Sequence, residues 1–340
     1  MQQLRLSRAL VVAAAVVWAL AAGSASAQSF TGNRPTNLAG VTTSAVPPGG
    51  FDALRATDAA LSAYGFPPRP SPAFAPNAYV NWANAVGTSP QRVTPQLVQT
   101  EVYHGARKGG ISARVAQSSA VTSTNWSGYA VDTGATQWSG SSFTTIAGDF
   151  IVPAVSTHTC NNAWEYSAEW VGIDGYSSND VLQAGIEADA ICSNNTTQTY
   201  YAPWYEWYPN ASIRITNLTA APGQSFYVHV WATASNAGHA YLQNLSTNQS
   251  VSLNFAPPSG TTLRGESAEW IVESPSVNGV LAKLPHYALD YFSAGTSTTL
   301  GNATQTPGST SAIAISLSVS GTIYSTPTLL GTGGVLFTSD

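Results

Sequence analysis

The stretch SFYVHVW at residues 225–231 decides the fold class, because its side chains alternate strictly between two sets. Its Phe and Val side chains would point to one face of an extended strand, and its Tyr, His and Trp side chains to the other. Residues 312–320, AIAISLSVS, repeat this period of two. Similar short stretches, separated by Gly, Pro, Asn and Ser, fill the chain from about residue 121 onward, and no long segment has the helical period. We therefore predict an all-β domain over residues 121–340, built as a sandwich of two antiparallel sheets.

The composition narrows the function classes. Of 340 residues, 44% are hydrophobic and only 9% are charged, and the net charge is −5. This composition argues against disorder driven by charge and against nucleic-acid binding. The charge is unevenly distributed: residues 28–120 hold seven basic and three acidic residues, a net of +4, whereas residues 121–340 have a net of −11. The two parts can attract each other near neutral pH. Alternatively, the low charge simply reflects a secreted or acid-living lineage.

The N-terminus has the pattern of a secretory signal peptide. Arg5 and Arg8 precede an unbroken apolar run over residues 9–22, and ASA at residues 25–27 resembles a signal-peptidase site. We expect residues 1–27 to be removed and the mature protein to be secreted, extracellular or periplasmic, with no membrane segment left. Export permits a disulfide, and Cys160 and Cys192, the two cysteines of the chain, are expected to form it.

Residues 28–120 differ from the rest of the chain. They hold 10 of the 20 prolines, interrupted by short Ala-rich pieces at residues 52–64 and 96–103 that have helical character. This pattern indicates a propeptide or spacer and not a well-packed domain. The basic stretch at residues 107–114 is a candidate linker for processing.

Familiar catalytic motifs are largely missing. The triplet Asp132-Thr133-Gly134 is typical of pepsin-like proteases, but those enzymes need two such aspartates and the sequence has one. We interpret it as a turn between strands. Gly-x-Ser-x-Gly, His-Glu-x-x-His and phosphate-binding glycine loops do not occur. We therefore expect no metal and no cofactor.

Four other segments combine polar groups with large apolar ones: WVGIDG at 170–175, LQAG at 182–185, WYEWYP at 204–209 and AEWIVE at 268–273. Strand alternation would group the following pairs on common faces: Trp170 with Asp174, Trp204 with Glu206, and Glu269 with Glu273. Together these faces would make a groove with aromatic walls and a floor of carboxylates and an amide, suited to an extended peptide or sugar chain. The alternative is an ordinary solvated sheet face with scattered Trp residues.

These segments, in this order, resemble the glutamic peptidases of the eqolisin type (peptidase family G1). The resemblance begins with NWSG at 125–128, passes through the four segments and YLQNLST at 241–247, and ends near Ser276. It implies a β-sandwich similar to the concanavalin-like jelly roll. The cysteine pair does not match the fungal arrangement, so nearby loops are expected to differ.

The resemblance also implies roles for individual residues. Gln183 and Glu273 correspond to a catalytic Gln/Glu dyad. The cleft residues of the family correspond to Trp126, Trp170, Asp174, Trp204 and Glu206, and Glu269 matches a further family glutamate that supports the strand or the cleft. The expected activity is acid endopeptidase action on polypeptides by a monomer, with its own propeptide as an intramolecular inhibitor.

Two other functional hypotheses use the same residues. A glycoside hydrolase would need two carboxylates, such as Glu206 with Glu273 or Glu269 with Glu273, but it would leave Gln183 without a role. A carbohydrate-binding sandwich without catalysis would use the same Trp-rich groove.

Overall fold

The computed structural model describes residues 32–108, 121–288 and 290–339. The predicted signal peptide lies outside the described residues. Within the described ranges, no helix is both long and apolar enough to cross a membrane.

The described residues 32–108 contain two helices and five short strands. They are β1 (Arg34–Pro35), β2 (Val41–Thr43), α1 (Asp58–Ala63), α2 (Pro76–Val86), β3 (Gln91–Arg92), β4 (Leu97–Gln99) and β5 (Val102–Tyr103).

The part from residue 121 onward is made of strands. They are β6 (Val121–Ser123), β7 (Trp126–Asp132), β8 (Phe143–Ile151), β9 (Ala154–Ser156), β10 (Trp164–Glu165), β11 (Ala168–Ile173), β12 (Val181–Ser193), β13 (Thr196–Tyr208), β14 (Ile213–Ile215), β15 (Ser225–Ala234), β16 (Ala237–Asn244), β17 (Gln249–Phe255), β18 (Ser267–Glu273), β19 (Ser276–Val277), β20 (Val280–Leu281), β21 (His286–Ala288), β22 (Asp290–Thr299), β23 (Thr304–Gln305), β24 (Ala312–Val319), β25 (Thr322–Leu330) and β26 (Gly334–Ser339).

Two mainly antiparallel sheets pack face to face, which confirms the predicted all-β sandwich. The first sheet has the strand order β14-β13-β12-β11-β18-β7-β24. The second has the order β22-β8-β15-β16-β17. Strands β25 and β26 continue the pairing from β24 to β22 and join the two sheets along one side.

The period of two places the core between the sheets. In β15, the Phe and Val side chains of the stretch 225–231 belong to the buried core cluster, together with Leu182 and Ala184 of β12 and Trp270 of β18. Because neighbouring side chains of a strand point to opposite faces, the residues between these core positions are left for the outer faces of the sandwich. The outer face of the first sheet carries the candidate site.

The two helices within residues 32–108 form a layer on the sandwich, and the propeptide or spacer over residues 28–120 stays a prediction. Leu61 and Trp82 of the two helices pack against Tyr227, Trp231 and Tyr241 on the outer face of the second sheet. Truncating a buried Trp commonly costs about 3–5 kcal/mol, so Trp82, which is 0% exposed, is an anchor of this layer. The domain boundary near residue 120 stays a prediction.

The helical prediction for residues 96–103 is wrong. This stretch supplies β4, which pairs with β14, and β5, which pairs with β19. Pairing with available strand edges outweighs the weak local helical preference. The helical prediction at 52–64 holds only in part, because α1 covers Asp58–Ala63 after the Thr57 side chain accepts a hydrogen bond from the Ala60 amide at 3.2 Å.

The disulfide between Cys160 and Cys192 is formed, as predicted. It ties the loop before β10 to the end of β12. The predicted turn at Asp132 is also present, because the Gly134 amide donates to the Asp132 side chain at 2.6 Å.

Two carboxyls face each other inside the sandwich, Glu169 of β11 and Asp290 of β22, and both are 0% exposed. Burial and their mutual repulsion raise the pKa of Glu169 well above its ordinary value, and burial does the same to the pKa of Asp290. A raised folded-state pKa stabilises the fold at acidic pH, and this stabilisation is lost as the pH rises through that pKa. The sandwich should therefore be more stable in acid than at neutral pH.

Glu169→Gln should weaken this pH dependence, because the amide cannot ionise. Each pKa unit of difference between the folded and unfolded states corresponds to about 1.4 kcal/mol. Thermal unfolding from acidic to neutral pH is expected to show a smaller loss of Tm in the variant than in the wild type. Glu101→Gln at an exposed position is the control, and parallel curves for wild type and Glu169→Gln would contradict the interpretation.

Candidate active site

The outer face of the first sheet presents the candidate residues in rows. The register of the strands places Gln183 of β12 opposite Glu206 of β13 on one side and Gly172 of β11 on the other, and Gly172 is opposite Glu269 of β18. Alternation then turns all four residues to the same face. This face is the groove that the sequence predicted.

The next two rows complete the groove. One contains Trp204, Gly185, Trp170 and Ile271, and the other contains Glu187, Ala168, Glu273 and Trp126. A side chain at Gly185 would come within 2.0 Å of the Glu169 backbone oxygen and 2.6 Å of the Trp170 Cβ. A Cβ at Gly172 would lie 2.8 Å from the Trp170 ring. Gly172 therefore leaves room for the ring of Trp170, and Gly185 lets β12 approach the backbone of β11 closely.

Residues 102–108 lie in this groove. The Gln183 side-chain Nε2 donates to the backbone oxygen of His104, and it lies 3.5 Å from Glu206 Oε2. The same Glu206 oxygen accepts the backbone N–H of His104 at 2.9 Å. Gln183 and Glu206 therefore hold one residue of the segment at both its N–H and its carbonyl.

Glu273 receives three hydrogen bonds. Its Oε1 accepts the backbone N–H of Gly105 at 3.1 Å and the Nδ2 of Asn125 at 3.2 Å, and its Oε2 accepts the Nε1 of Trp170 at 2.9 Å. Because the nitrogen of Gly105 and the carbonyl of His104 belong to one peptide bond, Gln183 and Glu273 hold the two polar ends of the same bond.

Aromatic side chains form the walls. The rings of Trp204 and His104 are stacked with centroids 3.7 Å apart. Trp126 donates from its Nε1 to the backbone oxygen of Gly105 at 3.0 Å, and its ring meets that of Trp170 edge-on at 5.0 Å. The groove thus combines apolar contact with hydrogen bonds to the backbone, which is what a site for an extended peptide needs.

Burial controls the protonation of the carboxyls in the groove. It raises the pKa of Glu206 well above its ordinary value, and the nearby charges of Glu273 and Glu187 raise it further. It also raises the pKa of Glu273, while hydrogen bonds from Asn125 and Trp170 oppose this. In the filled groove, these carboxyls hold their protons more tightly than in water.

Asp174 lies just past the end of the strand that carries Trp170, and it is near enough to Glu269 for its charge to raise the pKa of Glu269. Strand β11 ends at Ile173, and Asp174 has φ 70°, so the period of two no longer applies. Its carboxyl accepts the backbone amides of Arg264 at 2.8 Å and Glu266 at 2.6 Å. It fixes the chain that enters β18, and burial raises its pKa to about 7.

Glu269 shares the row of Gln183 and is 0% exposed. Among the hydrogen bonds of the described residues, none joins Glu269 to the segment 102–108. Burial raises its pKa well above the ordinary value. Glu269 is therefore placed to support the floor of the groove and not to contact a bound chain directly.

The sequence reasoning missed two residues that contact the site. Asn125 bonds Glu273, and its Nδ2 also donates to the Ala106 backbone oxygen at 3.2 Å. Glu187 lies 3.6 Å from the His104 Nε2. Continuing the alternation 183, 185, 187 along β12 would have found Glu187, and Asn125 stands beside Trp126 in a segment already singled out.

The possible ligands for a metal are few. In the described ranges, no group of three or more His, Cys, Asp or Glu side chains is arranged to hold a metal ion. The expectation that no cofactor takes part stays a prediction.

Comparisons with known proteins agree with this geometry. Aspergillopepsin-2 of Aspergillus niger is 34% identical over 168 residues, which cover 44% of this chain and 56% of that protein. Scytalidopepsin B of Scytalidium lignicola is 32% identical over 173 residues, which cover 49% of this chain and 60% of that protein. The matched region thus spans little more than half the length of these relatives.

Solved structures show the same fold. A scytalido-glutamic peptidase bound to a transition state analog inhibitor matches with a TM-score of 0.53 and 26% identity, over 64% of this chain and 98% of that one. SCP-B, a member of the eqolisin family solved with the tripeptide Ala-Ile-His, matches with a TM-score of 0.50 and 25% identity, over 64% of this chain and 98% of that one. The model of the Peptidase A4 family matches residues 124–338. The chain therefore belongs to the Peptidase A4 family, and the predicted resemblance to eqolisin-type glutamic peptidases is confirmed.

Proposed function

We propose that this chain is a secreted acid endopeptidase that hydrolyses peptide bonds with Gln183, Glu273 and a directly attacking water. The single observation that carries the proposal is the contact of both side chains with one peptide bond of the segment 102–108. Family membership supports the reaction class, and the SCP-B complex with Ala-Ile-His supports polypeptides as the substrate class.

Glu273 acts as the general base and then as the general acid. Burial raises the pKa of Glu273, so the ionised fraction acts as the base: this carboxylate takes a proton from water while the water oxygen attacks the carbonyl carbon. It then gives that proton to the leaving nitrogen, which occupies the place of the Gly105 nitrogen, 3.1 Å from Oε1. The bonds from Asn125 and Trp170 fix the carboxyl for both steps.

Gln183 stabilises the oxyanion. Its amide already donates to the carbonyl oxygen in the ground state, and this bond strengthens as negative charge develops on that oxygen. Because the amide is uncharged, it keeps this role at any acidity, whereas a second carboxylate would repel the developing charge. Glu206 orients the substrate by accepting the N–H of the residue whose carbonyl is attacked.

Residues 28–108 serve as an intramolecular inhibitor. The segment 102–108 fills the groove, so a second polypeptide cannot reach the dyad. The net charges of +4 over residues 28–120 and −11 over residues 121–340 favour this closed form near neutral pH, and the attraction weakens as carboxylates become protonated. The precursor should be quiet at neutral pH and become active in acid.

The site supports a glycosidase less well than a peptidase. It would use Glu206 with Glu273, or Glu269 with Glu273, across a sugar linkage. In either case Gln183 would have no role, although it contacts the carbonyl of the bound segment.

The test is an acid digest by the full chain, purified from residue 28 onward. Denatured casein should be cut into peptides that mass spectrometry identifies, and a chelator should not change the rate. A polysaccharide mixture, incubated in parallel, should stay intact. Release of sugars without cleavage of casein would favour the glycosidase and contradict the proposal.

A further inference from the structure

The segment 102–108 is held along its whole length. On one side of His104, the Val102 oxygen accepts the backbone amide of Ser212 at 2.9 Å, and β5 pairs with β19. On the other side, the Arg107 amide donates to the Gly175 oxygen at 3.0 Å. The segment is therefore fixed to the groove both before and after the dyad.

We infer that the His104–Gly105 peptide bond is the bond that the enzyme first cleaves in its own chain. The inference rests on the proposed function, because it uses the same dyad. Its own basis is the position of this bond, with the His104 carbonyl on Gln183 and the Gly105 nitrogen on Glu273.

Neighbouring bonds are not placed for attack. The carbonyl of Gly105 is bound by Trp126 at 3.0 Å, and that of Ala106 is bound by Asn125 at 3.2 Å. Among the hydrogen bonds of the described residues, the side chain of Gln183 reaches the His104 carbonyl and no other carbonyl of the segment. Cleavage elsewhere would require the segment to slide along the groove and break these contacts.

The step balances with water as its one co-reactant. The water oxygen forms a bond to the His104 carbonyl carbon, and the bond from that carbon to the Gly105 nitrogen breaks. Glu273 takes one water proton and passes it to the nitrogen. The products are a chain that ends in a His104 carboxyl and a chain that begins with a Gly105 amine.

The segment reaches the groove from the same molecule. The Lys108 backbone oxygen accepts the Thr124 amide at 2.9 Å and the Ser123 hydroxyl at 2.8 Å. Lys108 thus contacts the end of β6 of the same chain, at the start of the sandwich. Cleavage within one molecule follows, and its rate should not depend on protein concentration.

The side chain of His104, the residue before the cleaved bond, is enclosed by the groove. Its ring is 0% exposed, stacked on Trp204 at 3.7 Å and 3.6 Å from Glu187. The residue before the bond is therefore enclosed in a built pocket and not merely laid on a surface.

Acidification of the purified precursor, followed over time by mass spectrometry of the intact fragments, tests the inference. The first pair to appear should end at His104 and begin at Gly105, and its rate constant should survive dilution of the protein. The Glu273→Gln precursor alone should stay uncut, which excludes a contaminating protease.

Two variants at one position sharpen the test. Gly105→Pro removes the N–H that faces Glu273 and should eliminate this fragment pair. Gly105→Ala is the matched control, because its Cβ would meet the Tyr208 ring at an ordinary 3.4 Å, and it should be cut at the same bond. Thermal unfolding of both precursors checks that they fold.

The possible failures are distinguishable. If casein is digested but the first fragments begin elsewhere, for example within residues 107–120, the inference is wrong and the proposed function stands. If Gly105→Pro still yields a chain ending at residue 104, the inference is also wrong. If neither casein nor the precursor is cut in acid, the proposed function itself fails.

Discussion

The full chain carrying Glu273→Gln is expected to hydrolyse acid-denatured casein about 10²–10⁴-fold more slowly than the wild type. The amide cannot take a proton from water, so the attacking nucleophile is not activated and the leaving nitrogen receives no proton. The substitution keeps the size of the side chain and one acceptor oxygen, which can serve either Asn125 or Trp170, the donors to the two separate oxygens of Glu273. The loss should therefore appear in kcat while the fold is retained.

Glu169→Gln is the matched control for this experiment. It makes the same chemical change at another fully buried glutamate, but on the inner face of β11, away from the groove. Its casein hydrolysis should stay near the wild-type rate. Circular dichroism and thermal unfolding would verify that both variants fold. Wild-type activity in Glu273→Gln would rule out Glu273 as the base, whatever the control does.

Alternation along strands was enough to predict much of the groove. Gln183 and Glu206 lie opposite each other in the register, and their neighbours face the core. The pattern works there because β12 and β13 are long, regular strands, so the period of two persists. It is no guide at Asp174, where the strand has ended and the backbone turns to positive φ, since periodicity carries no information beyond the end of a strand.

The segment of residues 32–108 was the part that sequence patterns described least well. Its prolines interrupt every periodic signal, so Trp82 could not be recognised as an anchor before its partner surface was known. That surface, with Tyr227 and Tyr241, comes from strands far along the chain. The contacts of His104 with Gln183 and Gly105 with Glu273 likewise join residues 79 and 168 positions apart. Local propensity cannot encode such pairings, which depend on the finished sandwich.

Gln183→Ala should lower kcat by about 10²–10³-fold, the usual cost of losing one oxyanion donor. KM should change less, because Glu206 and Trp126 continue to bind the backbone of the substrate on both sides of the attacked carbonyl. Steady-state kinetics on a fluorogenic peptide at acidic pH would separate the two constants. Equal losses in kcat and in affinity would indicate that Gln183 only binds substrate.

Gln183→Glu tests the same role through its pH dependence. The new carboxyl would lie beside Glu206, whose Oε2 is 3.5 Å from the present amide nitrogen, and burial with a neighbouring carboxyl would raise its pKa. Below that pKa it is protonated and can donate a hydrogen bond to the oxyanion, whereas above it the carboxylate repels the same oxygen. The variant should therefore keep part of its activity in acid. As the pH rises, it should lose that activity at a lower pH than the wild type does. If the pH profile of the variant keeps the wild-type shape, whatever its overall activity, then residue 183 does not contact the developing charge directly.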